Sequence, residues 1–237
     1  MQFDKIIVPI DFSNGEEVVL EYAMALSSRF DIKINLLNVA ESSDPQQVIL
    51  LAVEQDGSDL LVISNEKAHL FDKVPAAAVL GVGKEAQSPP SFDRILMATD
   101  LSEVSEQSLR NVSELVRGTN ANVFLVNAVE VGVEGGAEAS TYLGEARLGE
   151  SRMKLNAFRN EIASYGIDAE TVVLEGRAAD VILGVAQRRA VGLIVMAKKT
   201  ELGLVTDEVF QNPKIPVLAI PVSQQAHSKF SRESNVA

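Results

Sequence analysis

The sequence predicts an α/β protein made of two tandem copies of one unit, each a parallel, doubly wound sheet. Three observations lead to this prediction. The chain starts twice, with FDKIIVPIDFS from Phe3 and FDRILMATDLS from Phe92. Short runs that are apolar throughout alternate with helical patterns, as in parallel sheets that are covered on both faces. These runs follow one another in the same order in both halves of the chain.

The second start keeps one register with the first. Sliding the chain on itself without a gap brings apolar and polar residues of the first copy onto identical residues of the second. The matched positions of the first copy are Phe3, Asp4, Ile6, Asp11, Ser13, Glu17, Leu20, Leu26, Leu36, Asn38 and Glu41. A chance similarity of short apolar runs would drift in register, so we interpret the pattern as a tandem duplication.

The first elements of each copy are a strand, a helix and a second strand. In the first copy, KIIVPI and INLLNVA are the strands, and Ser13 with Glu16 predicts a capping box at the start of the helix between them. In the second copy Ser102 keeps the cap position, but Ser105 follows where the box requires an acid or amide, so only half of the box is present. The apolar stripe of that helix is formed by Leu109, Val112, Leu115 and Val116.

The second copy is the fuller one. It continues with a long helix that carries Leu148, Leu155, Phe158 and Ile162 on one face. After it come strand ETVVLEG, helix AADVILGVAQRRA, strand GLIVMA and the closing strand IPVLAIPV. The first copy passes directly from NVAE to the helix and strand of DPQQVILLAVEQDGSDLLVIS, and it closes with PAAAVLGV. We therefore expect the first copy to lack one helix and one strand.

These patterns predict four segments. Residues 1–84 form the abbreviated first domain, and residues 85–91 form a polar, proline-containing linker. Residues 92–222 form the full second domain, and residues 223–237 form a tail that we expect to be disordered. The apolar closing strands of the two copies would leave exposed sheet edges, so we expect them to pair within the chain.

Composition excludes several classes of function. The 237 residues carry a formal net charge of −12, and no cluster of lysine and arginine is present that would bind nucleic acid or an anionic membrane. No apolar run is long enough to span a bilayer, and MQFDKIIVPI lacks the pattern of a secretory leader, so we expect a cytoplasmic protein without membrane insertion. The sequence has no cysteine, which excludes a thiolate nucleophile, a disulfide and a cysteine-bound metal.

Motifs for catalysis or metal binding are weak. His69 and His227 have no second histidine or carboxylate at ligand spacing, so we expect no metal site. GVGK from Gly81 lacks the spacing of a phosphate loop, GVEGGAEAS from Gly132 is acidic, and no serine lies in a Gly-x-Ser-x-Gly elbow. We therefore predict a protein that is not an enzyme.

The order of these elements resembles the universal stress protein family in its tandem form. The matching segments are KIIVPIDFS, LLNVAE and DLLVIS in the first copy, and RILMATDLS, LVNAVE, GLIVMA and PKIPVLAIP in the second. The resemblance implies a Rossmann-like fold and, in one branch of the family, binding of an adenine nucleotide. That branch has an Asp at the end of the first strand and a glycine loop after the fourth, of form Gly-x2-Gly-x9-Gly-Ser/Thr, whose backbone N–H groups hold the phosphates.

The second copy departs from this loop motif. Ala197 and Thr200 lie where the first two glycines belong, Leu204 follows Gly203 where a Ser or Thr belongs, and the spacer between Thr200 and Gly203 is too short. An Asp directly before a Ser cap also suits a strand-to-helix turn, so Asp11 and Asp100 have a structural as well as a ligand-binding interpretation. The ligand-binding residues that the resemblance implies are Ala98, Thr99, Asp100, Val129, Met196, Ala197 and Gly203, with Asp11 as the counterpart in the first copy.

Three functions compete at this point. The favoured one is a non-catalytic stress protein with a regulatory or protein-interaction role, a degenerate ATP motif and no cofactor beyond weak binding of an adenine nucleotide. The alternative is an adenine-nucleotide sensor that uses the crevice of the second domain, with Lys198 or Lys199 in place of the backbone donors. Nucleotide hydrolysis has no candidate base or metal site. The sequence does not identify a protein partner, and it is compatible with a homodimer.

Overall fold

The structure, a computed structural model, describes residues 3–11, 15–56, 59–67, 74, 77–117, 120–130, 137–198, 204–212 and 214–221. Within these ranges the chain forms one sheet of nine strands flanked by six helices. The strands are β1 (Lys5–Ile10), β2 (Lys33–Asn38), β3 (Leu60–Ser64), β4 (Ala78–Val82), β5 (Arg94–Ala98), β6 (Asn122–Val129), β7 (Ala169–Glu175), β8 (Leu193–Lys198) and β9 (Val217–Pro221). The helices are α1 (Glu16–Phe30), α2 (Pro45–Asp56), α3 (Glu103–Val116), α4 (Ala137–Ala163), α5 (Ala178–Arg188) and α6 (Leu204–Phe210).

The two halves of the sheet have the same strand arrangement. The order across the sheet is β2-β1-β3-β4-β9-β8-β5-β6-β7. In the first half β1 lies between β2 and β3 with parallel pairing, and in the second half β5 lies in the same way between β6 and β8. This confirms the predicted α/β class with a mostly parallel sheet. The duplication itself stays an interpretation of the sequence.

The closing strands of the two halves meet in the middle of the sheet. β4 and β9 pair antiparallel, with Val79 opposite Ala219, Leu80 opposite Leu218 and Gly81 opposite Val217. This is the pairing that the sequence predicted for PAAAVLGV and PVLAIPV. The apolar edge that each half would expose alone is therefore covered by the other half.

The core lies on both faces of the sheet and continues across this junction. On one face the buried side chains of β3 and β4, such as Leu60 and Leu80, belong to the same cluster as Leu218 of β9 and Val195 of β8. On the other face Leu61 and Val79 belong to one cluster with Val217 and Ile194. Since both faces are covered, the strands need apolar residues at successive positions, which explains the uninterrupted apolar runs in the sequence.

Two close contacts fasten the junction. The ring of Phe210, from α6, lies against Gly81 of β4 so closely that a Cβ at position 81 would be 2.2 Å from Phe210 Cζ. Lys198, at the end of β8 and 2% exposed, donates from Nζ to the carbonyl oxygens of Val74 at 2.5 Å and Ala77 at 3.4 Å. Phe210 and Lys198 of the second half thus contact β4 and the residues that precede it in the first half.

The predicted linker is packed against the first half. Tyr22 of α1 donates its hydroxyl to the carbonyl oxygen of Gln87 at 3.0 Å, and its ring contacts Phe92 edge-on with the centroids 6.1 Å apart. Ser88 donates to Glu21 Oε2 at 2.7 Å, and Ala86 is buried. The predicted linker therefore contacts α1 of the first half through Gln87 and Ser88.

The N-cap of α3 in the second half is the predicted one, whereas the N-cap of α1 in the first half is not. Ser102 is the N-cap of α3 and accepts a hydrogen bond from the backbone N–H of Ser105, as predicted. The predicted capping box of α1 is wrong, because Gly15 in the left-handed region (φ 96°) is the N-cap and Glu16 Oε1 accepts from the backbone N–H of Asp11 instead. Ser13 itself lies outside the described residues.

The abbreviation of the first half leaves β2 at the edge of the sheet. In the second half β7 pairs with the corresponding strand β6, and α4 packs on both of them. The described part of the first half contains no counterpart of α4 and β7, and Leu36 of β2 is 56% exposed. The tail at 223–237 lies outside the described residues, and none of the described helices is long and apolar enough to cross a membrane.

Candidate ligand-binding crevice

A crevice opens at the carboxyl ends of three strands of the second half, β5, β6 and β8. Its volume is about 230 Å³, and helices α3, α5 and α6 border it. The carboxyl ends of parallel strands are where open α/β sheets bind ligands. The lining residues are Ala98, Thr99, Asp100, Ser105, Val126, Asn127, Ala128, Ala178, Ile182, Met196, Ala197, Leu204, Val205 and Thr206.

The structure places most of the sequence-predicted site residues around this crevice. Five of them line it, and these are Ala98, Thr99, Asp100, Met196 and Ala197. Val129, the last residue of β6, is 7% exposed and is not part of the lining; its carbonyl oxygen accepts from Gly176 N at 3.1 Å. Gly203 lies outside the described residues. Ligand binding by these residues stays a prediction.

Asp100 stabilises the turn from β5 into α3. Its Oδ1 accepts from the backbone N–H of Ser102 at 3.0 Å and from the Ser102 hydroxyl at 2.6 Å. Ser102 Oγ in turn accepts from Ser105 N at 3.2 Å, and Leu101 between them has a positive φ of 59°. Asp100 therefore has the structural role that the sequence allowed, because its carboxylate accepts hydrogen bonds from Ser102, the N-cap residue of α3.

Asn127 is the functional candidate that the sequence reasoning missed. Its Nδ2 donates to the carbonyl oxygen of Thr99 at 2.8 Å, while its Oδ1 is buried and has no hydrogen-bond partner among the described residues. A buried acceptor without a donor is costly, which marks this position as one that a ligand N–H or O–H would satisfy. In the register of the repeat, Asn127 matches Asn38 of the first copy.

Electrostatics at the mouth of the crevice disfavour phosphate. Asp100 is the one charged side chain among the described lining residues, and it is an anion. Glu130 Oε1 accepts from Ala178 N at 3.1 Å, so a carboxylate already occupies the N-terminus of α5, where an anionic ligand would bind. Arg177, the N-cap residue of α5, pairs with Glu208 at 2.9 Å.

Lys198 is not a phosphate ligand in this structure. Its ammonium group is buried against the carbonyl oxygens of Val74 and Ala77, so the sensor hypothesis that placed Lys198 at the phosphates is wrong for this residue. The apolar neighbours at positions 196 and 197 gave no sign in the sequence that the lysine would reach into the junction. Lys199 and Thr200 lie outside the described residues.

The corresponding position of the first half holds an ion-pair cluster. Lys67 Nζ lies 2.9 Å from Asp11 Oδ2 and 3.2 Å from Glu16 Oε1. Glu16 Oε1 also accepts from Asp11 N at 2.9 Å. Asp11 is therefore part of an ion-pair cluster at this strand end. The described residues contain no group of His, Asp and Glu arranged to hold a metal ion, and His69 and His227 lie outside them.

The fold and the crevice define a class of protein: a doubly wound α/β protein with a ligand crevice at the carboxyl ends of its strands. A model described as the universal stress protein family matches residues 91–221, so the chain belongs to the universal stress protein family. Universal stress protein MJ0531 of Methanocaldococcus jannaschii is 27% identical over 139 residues, which cover 54% of this chain and 82% of that protein.

Solved structures extend the similarity of the fold to nearly the whole chain. A universal stress protein from Archaeoglobus fulgidus superposes with a TM-score of 0.64 at 15% identity, covering 94% of this chain and 97% of that one. A functionally unknown protein, PA1789 from Pseudomonas aeruginosa, superposes with a TM-score of 0.58 at 16% identity, covering 92% of this chain and 82% of that one. The double-length sheet is therefore a fold that other proteins share.

Proposed function

We propose that this chain is a non-catalytic universal stress protein with a regulatory or protein-interaction role, and that neither half binds ATP tightly. The observation that supports this proposal most strongly is the lining of the crevice. Among its described residues the one charge is the anion Asp100, and the volume of about 230 Å³ is below the range of about 300–1,000 Å³ that is typical of ligand pockets.

The energetic argument concerns the three phosphates. Each charge-assisted hydrogen bond to a phosphate oxygen is worth about 1.5–3 kcal/mol, so losing several of them weakens binding by orders of magnitude. Ala197 stands where the family motif has its first glycine, and Glu130 occupies the N–H group of Ala178 that would otherwise attract an anion. The net charge of −12 opposes a triphosphate as well.

Calorimetric titration of the full chain with ATP and with AMP tests this proposal. We expect no saturable binding of ATP at micromolar concentrations. The matched control is Ala128→Phe, which fills the crevice from a half-buried lining position and should change nothing if ATP does not bind there. Micromolar ATP affinity that is lost both in Ala128→Phe and in Asp100→Ala would contradict the proposal.

One observation favours a second candidate, a sensor for an adenine-like ring. Asn127 lines a mainly apolar crevice and has a buried Oδ1 without a partner among the described residues, which an amino group on a flat heterocycle would satisfy. Titration with adenosine, AMP and ATP separates the two candidates. A sensor should bind all three, and Asn127→Ala should lower its affinity for each of them by about tenfold or more. Loss of ATP binding but not adenosine binding in Lys199→Gln would assign the phosphates to that lysine.

A second copy of the chain is the partner that we propose for edge strand β2. Its outer edge is unpaired in the described sheet, and Leu36 is 56% exposed on it. In an antiparallel pair of two β2 strands centred on Asn35 and Leu36, Lys33 of each copy would lie opposite Asn38, so no like charges would meet. Sedimentation equilibrium should give a dimer that Leu36→Lys converts to a monomer. A monomeric wild-type protein would refute this assembly.

A further inference from the structure

A second cavity lies at the opposite end of the sheet from the crevice. It has a volume of about 540 Å³ and is formed at the amino ends of β5, β6 and β7, next to the last turn of α5. Its lining is charged and contains three of the arginines of the chain. The lining residues are Arg94, Asn122, Val123, Phe124, Asp168, Ala169, Glu170, Arg188 and Arg189.

The position of Arg189 in this cavity is fixed from two sides. Its guanidinium lies over the ring of Phe124, with Cζ 5.2 Å from the ring centroid, and it forms an ion pair with Glu170 of β7. Arg94 of β5 donates from a guanidinium nitrogen to the carbonyl oxygen of Arg189 at 3.3 Å. The two arginines are thus held in place before any ligand arrives, which reduces the entropy that a ligand must overcome.

Arg188 supplies the third cation of the lining. It lies in the last turn of α5, with a guanidinium nitrogen 3.5 Å from the point where a Cβ on Gly184 would be. No described side chain forms a hydrogen bond or an ion pair with it. The C-terminus of a helix carries about half a negative charge, which the full positive charge of Arg188 alone exceeds.

The charges of the lining leave one excess cation. Glu170 neutralises Arg189, so Arg94 and Arg188 face the single carboxylate of Asp168. The arginines would attract an anion. The carboxylate of Asp168 would repel the same anion unless that anion also carries a hydrogen-bond donor for Asp168. Asn122 at the start of β6 adds an amide to the same lining.

We propose that this arginine cavity binds a small anion that also carries a hydroxyl group, of which hydrogen phosphate is the simplest example. The anionic oxygens accept from Arg94 and Arg188, and the hydroxyl donates to Asp168. This site is independent of the crevice at the carboxyl ends of β5, β6 and β8, because the strands run between the two and their lining residues do not overlap.

Titration of the full chain with inorganic phosphate and with sulfate at neutral pH tests the proposal. Both are small tetrahedral anions, but sulfate has no hydroxyl to donate. We expect saturable binding of phosphate and at least about tenfold weaker binding of sulfate, because Asp168 repels an anion without a donor. Equal binding of both anions, or no saturable binding of phosphate, overturns the proposal.

Variants locate the binding in the arginine cavity. Arg188→Gln should weaken phosphate binding by about tenfold, and it removes an exposed side chain, so folding is not at risk. Asp168→Asn should abolish the preference for phosphate over sulfate. The control is Arg147→Gln, since Arg147 donates to the carbonyl oxygen of Glu130 at the opposite end of the sheet. Phosphate affinity that is unchanged in Arg188→Gln, or reduced as much in Arg147→Gln, would contradict the assignment.

Discussion

The contact between Gly81 and Phe210 gives the sharpest prediction about the junction of the two halves. Gly81 lies on β4 opposite Val217 of β9, and the buried ring of Phe210 covers it. A Cβ at position 81 would be 2.2 Å from Phe210 Cζ and 2.6 Å from both Cε atoms. The closest of these distances is about 1.3 Å shorter than a normal carbon contact of about 3.5 Å, so Gly81→Ala must displace the ring.

The size of the effect follows from two opposing terms. Inserting a methyl group into a packed core costs about 1–3 kcal/mol, and the upper end applies because Phe210 is 0% exposed and has no open side to move into. Replacing a glycine inside a strand by alanine returns about 0.5–1 kcal/mol of backbone entropy. We therefore expect Gly81→Ala to lower the free energy of unfolding by about 2 kcal/mol.

Urea unfolding followed by far-ultraviolet circular dichroism measures this loss. A double-mutant cycle with Phe210→Leu identifies its cause, because the shorter side chain leaves room for the new methyl group. In that background Gly81→Ala should cost nothing, which corresponds to a coupling energy of about 2 kcal/mol. Gly149→Ala is the matched control, since a Cβ there meets nothing within 4 Å and should stabilise α4 slightly.

The reasoning is refuted if Gly81→Ala costs as little as Gly149→Ala. It is also refuted if the cost of Gly81→Ala is the same with Phe and with Leu at position 210, because the ring would then not be the obstacle. We further expect a single unfolding transition for both halves, since each hydrophobic cluster spans the junction.

Two further predictions concern buried polar groups. Lys198→Met should lower the free energy of unfolding by about 1–3 kcal/mol in the same urea assay, because the carbonyl oxygens of Val74 and Ala77 lose their donor; an unchanged or more stable variant would contradict this. Burial, assisted by the charge of Glu21, raises the pKa of Tyr22 from 10.0 to about 12, so the difference in ultraviolet absorbance between wild type and Tyr22→Phe should show a phenol that ionises near pH 12. Since the folded pKa is the higher one, the stability that this phenol contributes is fully present below pH 10 and is lost as the pH rises towards 12; a phenol that ionises near 10 in the folded protein would contradict the burial argument.

Much of the fold was predictable because its signals are local. Parallel strands covered on both faces require unbroken apolar runs, and KIIVPI and GLIVMA show them directly. The cap at Ser102 was predictable for the same reason, since a side chain and an N–H group three residues away determine it. The pairing of β4 with β9 followed from the need to cover two apolar edges.

The features that the sequence did not predict depend on distant parts of the chain. Lys198 follows an apolar strand, and nothing near it indicates that its partners are the carbonyl oxygens of Val74 and Ala77 in the other half. The pairing of Lys67 with Asp11 joins residues far apart in the sequence. The cap of α1 was mispredicted because a serine three residues before a glutamate fits the box pattern, whereas the left-handed Gly15 starts the helix later.

The candidate site shows the same division. Residues next to the end of β5, such as Thr99 and Asp100, were predicted because the family that the sequence resembles has a ligand-binding Asp at the end of its first strand, and they line the crevice. The lining residues from α5 and α6, such as Ile182 and Val205, were not predicted, because the sequence shows them only as apolar positions of amphipathic helices. The arginine cavity was also missed, since Arg94, Asp168 and Arg188 meet only when the amino ends of three strands are brought together.

Native mass spectrometry of the purified full chain tests the central claim most directly, which is that the crevice of this family member does not hold ATP. The claim predicts a spectrum of the 25.5 kDa chain, or of its dimer, without a nucleotide adduct, and no adduct after incubation with micromolar ATP. A stoichiometric ATP adduct that is present in the wild-type protein and absent in Ala128→Phe would contradict it.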